Sequence, residues 1–394
     1  MMKPDAYRRQ PIPSLTGLRG AGAIWVFMTH IYGFAAIVWH APALRACSFF
    51  INGFRGVDLF FILSGFILMH VHADDFTGRQ SGKLTEFYLT RFFRIYPLNT
   101  VVLLALVPLA LMEPSYVAMA RAFSTPHYAY RAHNLSFPGF IQSLLLAQSW
   151  TVAKLGEWNI VSWTLSAEVL GYALFPALCS LVMRENSWAR CAAYAVGSLT
   201  VLTILLVVFH HANDNPTGTF GSVRMIFCFM AGLCLHRCHQ LAPAAAADLA
   251  SGLAGLALLF IAATLFVRTA PVLDAFGFAA LIFGLAYQRG PVNRMLQSRL
   301  ALFFGRLSFS FYLIHLLIIS IISWSLGHWL RAQGVSVRIA SVFVIFLLCL
   351  LAAAVLYELV ERPSQRLGRR LVQRVAAGPA IPVIAGTAVP IPEG

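Results

Sequence analysis

The sequence predicts an all-α, polytopic integral membrane bundle of about ten spanning helices, with both termini cytoplasmic. Three observations predict it. Hydrophobic residues make up 59% of the 394 residues, charged residues only 11%, and mean hydropathy is +0.74, whereas a soluble domain carries roughly 25% charge. Apolar runs of bilayer-crossing length, roughly 20 residues, recur along the whole chain. The arginines gather between those runs and after the last one, where positive-inside topology requires them.

In that setting the net charge of +14 points to anionic lipid head groups and an anionic cytoplasmic substrate, not to nucleic acid. Seven cysteines are scattered through the chain, mostly in apolar runs. Their one cluster, Cys234-Leu-His236-Arg-Cys238-His239, has neither paired zinc spacing nor haem-attachment spacing. No metal site is expected, and these cysteines read as buried structural residues.

The first span, Ala21–Trp39, follows Lys3, Arg8 and Arg9 and resembles a signal peptide, but it is long and holds His30. It reads as an uncleaved helix. Further spans are expected at Ile51–Val71, Phe92–Met112, Ile160–Met183, Ala192–His210, Phe220–Leu235, Leu249–Val267, Val272–Tyr287, Leu307–Leu330 and Ile339–Leu359. The shorter apolar segment Phe137–Val152 contains Gln142, Gln148 and Trp150. Counting loop charge forward from Arg79–Arg94 and back from Arg362–Arg374 agrees only if that segment does not cross. It is expected to be re-entrant or interfacial. The loop Glu113–Ser136 is then external; its histidines and tyrosines suit either a sugar-facing surface or an interfacial belt. Residues 1–375 form one membrane domain in this reading, and the Pro-, Gly- and Ala-rich 376–394 an unstructured tail.

Ionisable residues at membrane depth are costly and usually face an interior where they act. Arg19 and His30 lie eleven residues apart on one helix, roughly 16 Å at ~1.5 Å per residue, and on nearly the same side. Separately they read as an interfacial anchor and a backbone-bonded core histidine. Together on one face they favour function, with His30 as general base. Arg91 and Arg94, spaced by three, share a helix face at the cytoplasmic side, where with Arg19 they suit bidentate phosphate recognition. Positive-inside anchoring predicts the same residues.

Asp58 enters the second span near the depth of His30. It reads equally as the carboxylate that orients the histidine or as a helix-capping acid. Ser64-Gly65 reads as close helix packing. Glu168, inside the fifth span, can pair with an arginine, orient substrate or assist proton transfer. His315 reads as structural or substrate-lining.

The motifs Ser14-Leu-Thr-Gly-Leu-Arg19-Gly with His30, Gly56-Val-Asp58-Leu-Phe-Phe-Ile-Leu-Ser64-Gly65-Phe66 and Phe87-Tyr88-Leu-Thr-Arg91-Phe-Phe-Arg94-Ile-Tyr96-Pro97 resemble acyltransferase family 3. Trp163-Thr-Leu-Ser-Ala-Glu168, Gly305 to His315, and Glu361-Arg362-Pro363 continue the resemblance in order, from about residue 12 to 370. The resemblance implies O-acylation of a carbohydrate or glycoside by an acyl-CoA co-substrate, most often acetyl-CoA, with no bound cofactor. It implies functional roles for His30, Arg19, Arg91 and Arg94, and a bacterial plasma membrane as the location. Where the family commonly has paired acids, Glu168 is followed by Val169. No soluble transferase domain is expected after the last span, as in stand-alone relatives. A transporter or flippase of a glycan or small metabolite is the rival reading, disfavoured by the lack of an evident repeat.

Overall fold

The computed structural model describes residues 10–38, 48–76, 81–111, 136–150, 158–209, 218–243, 245–266 and 273–377. Every regular element among them is helical. The long helices are α1 (Pro13–Val38), α2 (Gly56–His72) and α3 (Ser81–Leu111). A short α4 (Phe137–Leu144) precedes α5 (Trp163–Met183), α6 (Trp188–Val208), α7 (Thr219–Leu241) and α8 (Ala246–Phe266). Then come α9 (Asp274–Ala286), the short α10 (Gly290–Leu296), α11 (Arg299–Ala332), α12 (Val335–Leu356) and α13 (Arg362–Ala377).

Eight helical stretches among the described residues, those containing α2, α3, α5, α6, α7, α8, α11 and α12, are long and apolar enough to cross a membrane. The 26 residues of α1 extend about 39 Å, which also suffices for a crossing. The expected span Val272–Tyr287 is a helix of only 13 residues, α9, about 20 Å long, packed against α8, α7 and α2. The protein is thus a multi-pass integral membrane protein of helical architecture.

Polar residues mark where helices start. Ser136 accepts the Gly139 N–H at α4, Ser187 the Arg190 N–H at α6 and Ser298 the Ala301 N–H at α11, each capping a donor the helix leaves unpaired. Two helices begin earlier than their apolar runs. Arg19 sits two turns inside α1, and Arg91 and Arg94 lie ten or more residues inside α3, so all three side chains emerge from continuous helix.

Two parallel helix pairs organise the bundle. Along α1 and α11, Gly20 meets Gly305, the Phe27 and Phe311 rings lie 5.4 Å apart, and His30 meets His315. Along α2 and α7, Asp58 meets Arg224, Gly65 meets the Phe229 backbone and the His70 ring lies 5.5 Å from that of His236. Both crossings depend on glycine. A Cβ on Gly232 would strike the Ile62 carbonyl, one on Gly65 the Phe229 carbonyl, and one on Gly20 or Gly305 the facing backbone. Small residues let helices approach this closely where lipid supplies no hydrophobic drive for association.

The segment expected not to cross is the eight-residue α4, about 12 Å long, followed by turns. Its end is pinned to the start of α5: the Ser149 N–H bonds Ser166 Oγ at 3.0 Å and Gln148 Nε2 bonds Ser162 Oγ at 2.9 Å. The Trp158 indole bonds the Ser136 carbonyl at 3.0 Å. The loop Glu113–Ser136 lies outside the described residues except for Ser136.

Both ends of the described chain meet at one end of the bundle. The Gln10 carbonyl lies 2.9 Å from His70 Nε2, and Gly368 of α13 packs on Phe93 of α3. The α5–α6 turn with Arg184 and Arg190, α10 with Arg294, and α13 with Arg362, Arg366, Arg369, Arg370 and Arg374 lie at this same end. It is the basic end. The basic C-terminal stretch is therefore helix α13; beyond Ala377 the expected tail lies outside the described residues.

The α2–α7 crossing gives a direct test. Gly232→Ala is expected to destabilise the protein by at least about 2 kcal/mol through overpacking against backbone. Gly197→Ala, where nothing lies within 4 Å, is expected to leave stability unchanged. Thermal unfolding in detergent micelles checks both; equal midpoints for the two variants would remove the close approach as a constraint.

Candidate active site

A cleft of about 150 Å³ opens between α1, α2, α3, α5 and α11. Arg19, Arg91 and Arg94 line its basic end, Ser64, Glu168 and Tyr172 its middle, and Phe60, Thr164 and Tyr312 its far end. The helices explain the convergence. Arg91 and Arg94 share one face of α3, and α1 presents Arg19 from the opposite side.

The carboxylate in the middle is held by hydroxyls. Glu168 Oε1 accepts from Ser64 Oγ at 2.8 Å and from Tyr172 Oη at 2.6 Å. Arg91 lies 5.7 Å from the ring centroids of both Phe87 and Tyr172, and its Nη2 lies 3.4 Å from His72 Nε2. A second carboxylate arrives from the far end of the sequence. Glu361, buried in the π-helical turn Tyr357–Glu361, accepts from Ser310 Oγ at 2.6 Å and Gln365 Nε2 at 3.1 Å. Arg94 and Arg19 are its charged neighbours.

Three guanidinium groups therefore face two carboxylates already engaged by hydroxyl and amide donors. Arg19 and Arg94 make no hydrogen bond or ion pair within 4 Å among the described residues. An anion entering the basic end would meet donors that are not committed elsewhere. Such charge-assisted bonds are the strong ones.

At the far end, Tyr312 connects the cleft to a pair of histidines. Its ring lines the cleft and lies 5.9 Å from that of His315. His315 Nε2 lies 3.1 Å from His30 Nδ1, and His30 Nδ1 lies 3.0 Å from the Val26 carbonyl. His30 itself stands behind this wall, half-buried and not among the cleft's lining residues.

Asp58 does not contact His30. Its Oδ1 accepts from Arg224 Nη2 at 2.8 Å and Nε at 3.1 Å, and both residues are buried. Nor does it cap α2, whose N-terminus has no side-chain cap. The expectation that Asp58 orients the histidine, made from depth alone, gives way to this ion pair because a buried guanidinium lies one helix away on α7. Arg224 was not singled out from the sequence, where an arginine inside an apolar run was the available signal; Glu361 entered only through the Glu361-Arg362-Pro363 motif. Among the described residues no group of three or more histidines, cysteines or acids could hold a metal ion. Cys234, Cys238 and His236 are buried in the bundle.

Removing one partner of a buried pair leaves an uncompensated charge. Asp58→Asn and Arg224→Met are each expected to cost about 3–5 kcal/mol and to lower the amount of folded protein in membranes. The double replacement Asp58→Leu with Arg224→Met is expected to recover most of it. A stable single variant of Asp58 that had lost only activity would return it to the reacting centre.

The profile of an acyltransferase domain matches residues 12–358. Acyltransferase MdmB of Streptomyces mycarofaciens is 26% identical over 94% of this chain and 96% of its own length. Peptidoglycan O-acetyltransferase OatA of Listeria monocytogenes is 22% identical, and O-acetyltransferase OatA of Staphylococcus aureus 24%. Those alignments cover 60% and 58% of this chain but 35% of each relative. No solved structure matches. With the profile spanning nearly the whole bundle, the chain belongs to acyltransferase family 3.

Proposed function

We propose that this acyltransferase moves an acyl group, acetyl first among the candidates, from cytoplasmic acyl-CoA to a hydroxyl of a carbohydrate or glycoside acceptor. The observation that carries this reading is the arginine trio at the basic end of a cleft whose other end abuts a histidine pair. CoA is an anionic, phosphate-rich carrier with its reactive thioester at the end of a long flexible arm. Phosphates held by Arg19, Arg91 and Arg94 leave that arm to run along the cleft. The excess of arginine at this end of the bundle supports its being cytoplasmic. The OatA relatives' names, which specify O-acetyl transfer and in one case peptidoglycan, support a sugar hydroxyl as acceptor.

In this mechanism His30 Nε2 removes the proton of the acceptor hydroxyl. The oxygen attacks the thioester carbonyl carbon, the carbon–sulfur bond breaks, and the thiolate takes the proton back from the imidazolium. An ester and free CoA result. Glu168, held by Ser64 and Tyr172, gives the cleft an acceptor between the arginines and the histidines that can orient the acceptor substrate. Tyr312 must yield space for the thioester to reach the histidine.

Two separable effects are expected in proteoliposomes supplied with labelled acetyl-CoA and glycoside acceptors. Arg19→Gln and Arg94→Gln each raise KM for acetyl-CoA by roughly 10- to 100-fold, the worth of one charge-assisted bond. His30→Gln lowers kcat by roughly 10²- to 10⁴-fold, the usual contribution of a general base. Mass spectrometry of surface glycans and extracted glycosides from cells carrying wild type or His30→Gln identifies the acyl group and the acceptor. Transport of unmodified glycoside without ester formation would favour the carrier reading instead.

A further inference from the structure

The two histidines at the closed end of the cleft form a more specific device than either residue alone, and their hydrogen-bond partners determine where the protons lie. His315 is fully buried. Its Nδ1 lies 2.8 Å from the Tyr312 carbonyl and 3.3 Å from that of Phe311. A carbonyl only accepts, so Nδ1 carries the hydrogen, and in the neutral ring Nε2 carries the lone pair. That lone pair faces His30 Nδ1 at 3.1 Å. His30 Nδ1 also lies 3.0 Å from the Val26 carbonyl, so it too must carry the hydrogen. The remaining nitrogen of His30, Nε2, is then the unprotonated one. The rings sit 5.0 Å apart at 48°.

Packing leaves His315 little freedom to adopt another arrangement. The Phe27 ring lies 6.2 Å away edge-on and the Phe311 ring is stacked at 6.3 Å. The Cys349 thiol points at the His315 carbonyl at 3.9 Å. Asp58 is committed to Arg224. A neutral imidazole accepts the His30 proton without bringing a second charge into an apolar bundle, which a carboxylate would do at a cost of several kcal/mol.

We propose that His315 is the positioning residue for His30: its Nε2 accepts the His30 Nδ1 hydrogen, presents His30 Nε2 as the base, and shares the charge of the imidazolium formed during acyl transfer. The inference rests on the reading of His30 as the base. No bond to carbon is made or broken by His315, and no proton leaves it. The pair works as a histidine oriented by a histidine, the second anchored on backbone carbonyls of its own helix.

The test compares His315→Phe, His315→Gln and His30→Gln in proteoliposomes with acetyl-CoA and the acceptor identified by mass spectrometry. His315→Phe keeps bulk but offers no acceptor; kcat is expected to fall about 10²-fold, with both KM values within about twofold of wild type. His315→Gln offers an amide oxygen to His30 and is expected to recover at least about tenfold of that loss. Nitrogen-15 spectra of histidine-labelled wild-type protein, assigned by difference against the two glutamine variants, are expected to show Nδ1–H and unprotonated Nε2 for both rings. An Nε2–H signal from either ring overturns the proposal and needs no folded Phe variant. If His30→Gln is inactive while His315→Phe turns over at the wild-type rate, the positioning role fails and the base survives. If His30→Gln remains fully active, the reading of His30 as base fails first.

Discussion

An ionised side chain inside a membrane bundle costs several kcal/mol unless a partner, a hydroxyl or water meets it. This constraint separates two kinds of charge in the protein. Asp58 and Arg224 meet each other, and Arg55 lies 3.8 Å from Asp274, which also accepts the Thr264 hydroxyl. These groups balance one another within the bundle and tie α2, α7, α8 and α9 together. The arginines of the cleft are different. Two carboxylates, held by serine, tyrosine and glutamine donors, stand beside three guanidinium groups, a formal excess of one positive charge for an entering anion to meet.

Helix register converts that local chemistry into a path. Gly20 and His30 are ten residues apart on α1, and Gly305 and His315 are ten apart on α11. Because the helices run parallel, the close contact at the glycines carries the two histidines to the same height about 15 Å further on. The same spacing that separates Arg19 from His30 therefore separates an anion-binding end from a proton-accepting end. An acyl carrier with its charge at one end and its thioester at the other matches this division. On α2 and α7 the equal steps from Asp58 to His70 and from Arg224 to His236 show the same parallel register. The rigid frame is thus two in-register pairs, with α3 and α5 closing the cleft between them.

Much of this was legible in the residues before any coordinates. Hydropathy located the long apolar helices because a bilayer imposes one length and one chemistry on every span, while the expected span Val272–Tyr287 is the 13-residue α9. Loop arginines led to the expectation that Phe137–Val152 does not cross, since charge is costly to translocate, and the helix in its described part is the eight-residue α4. The spacing of Arg91 and Arg94 put them on one face because helical geometry is local. Boundaries were less legible: α1 and α3 run well beyond their apolar stretches, because interior-facing cleft residues need not be apolar for the helix to continue.

Composition and the helical membrane class were determined by the sequence itself, and the arginine and histidine candidates were named from it, through interactions that act within one helix or between a helix and lipid. Partnership was decided only by the tertiary structure. Asp58 was expected to lie near the depth of His30, yet its carboxylate belongs to Arg224, 166 residues away. His315 meets His30 across 285 residues, Ser64 meets Glu168 across 104, and Glu361 meets Ser310 across 51. Depth along a helix can be counted from a sequence. Which way a side chain faces, and what faces it, depends on helix neighbours and rotations set by close packing at glycines, and no spacing within one segment encodes that.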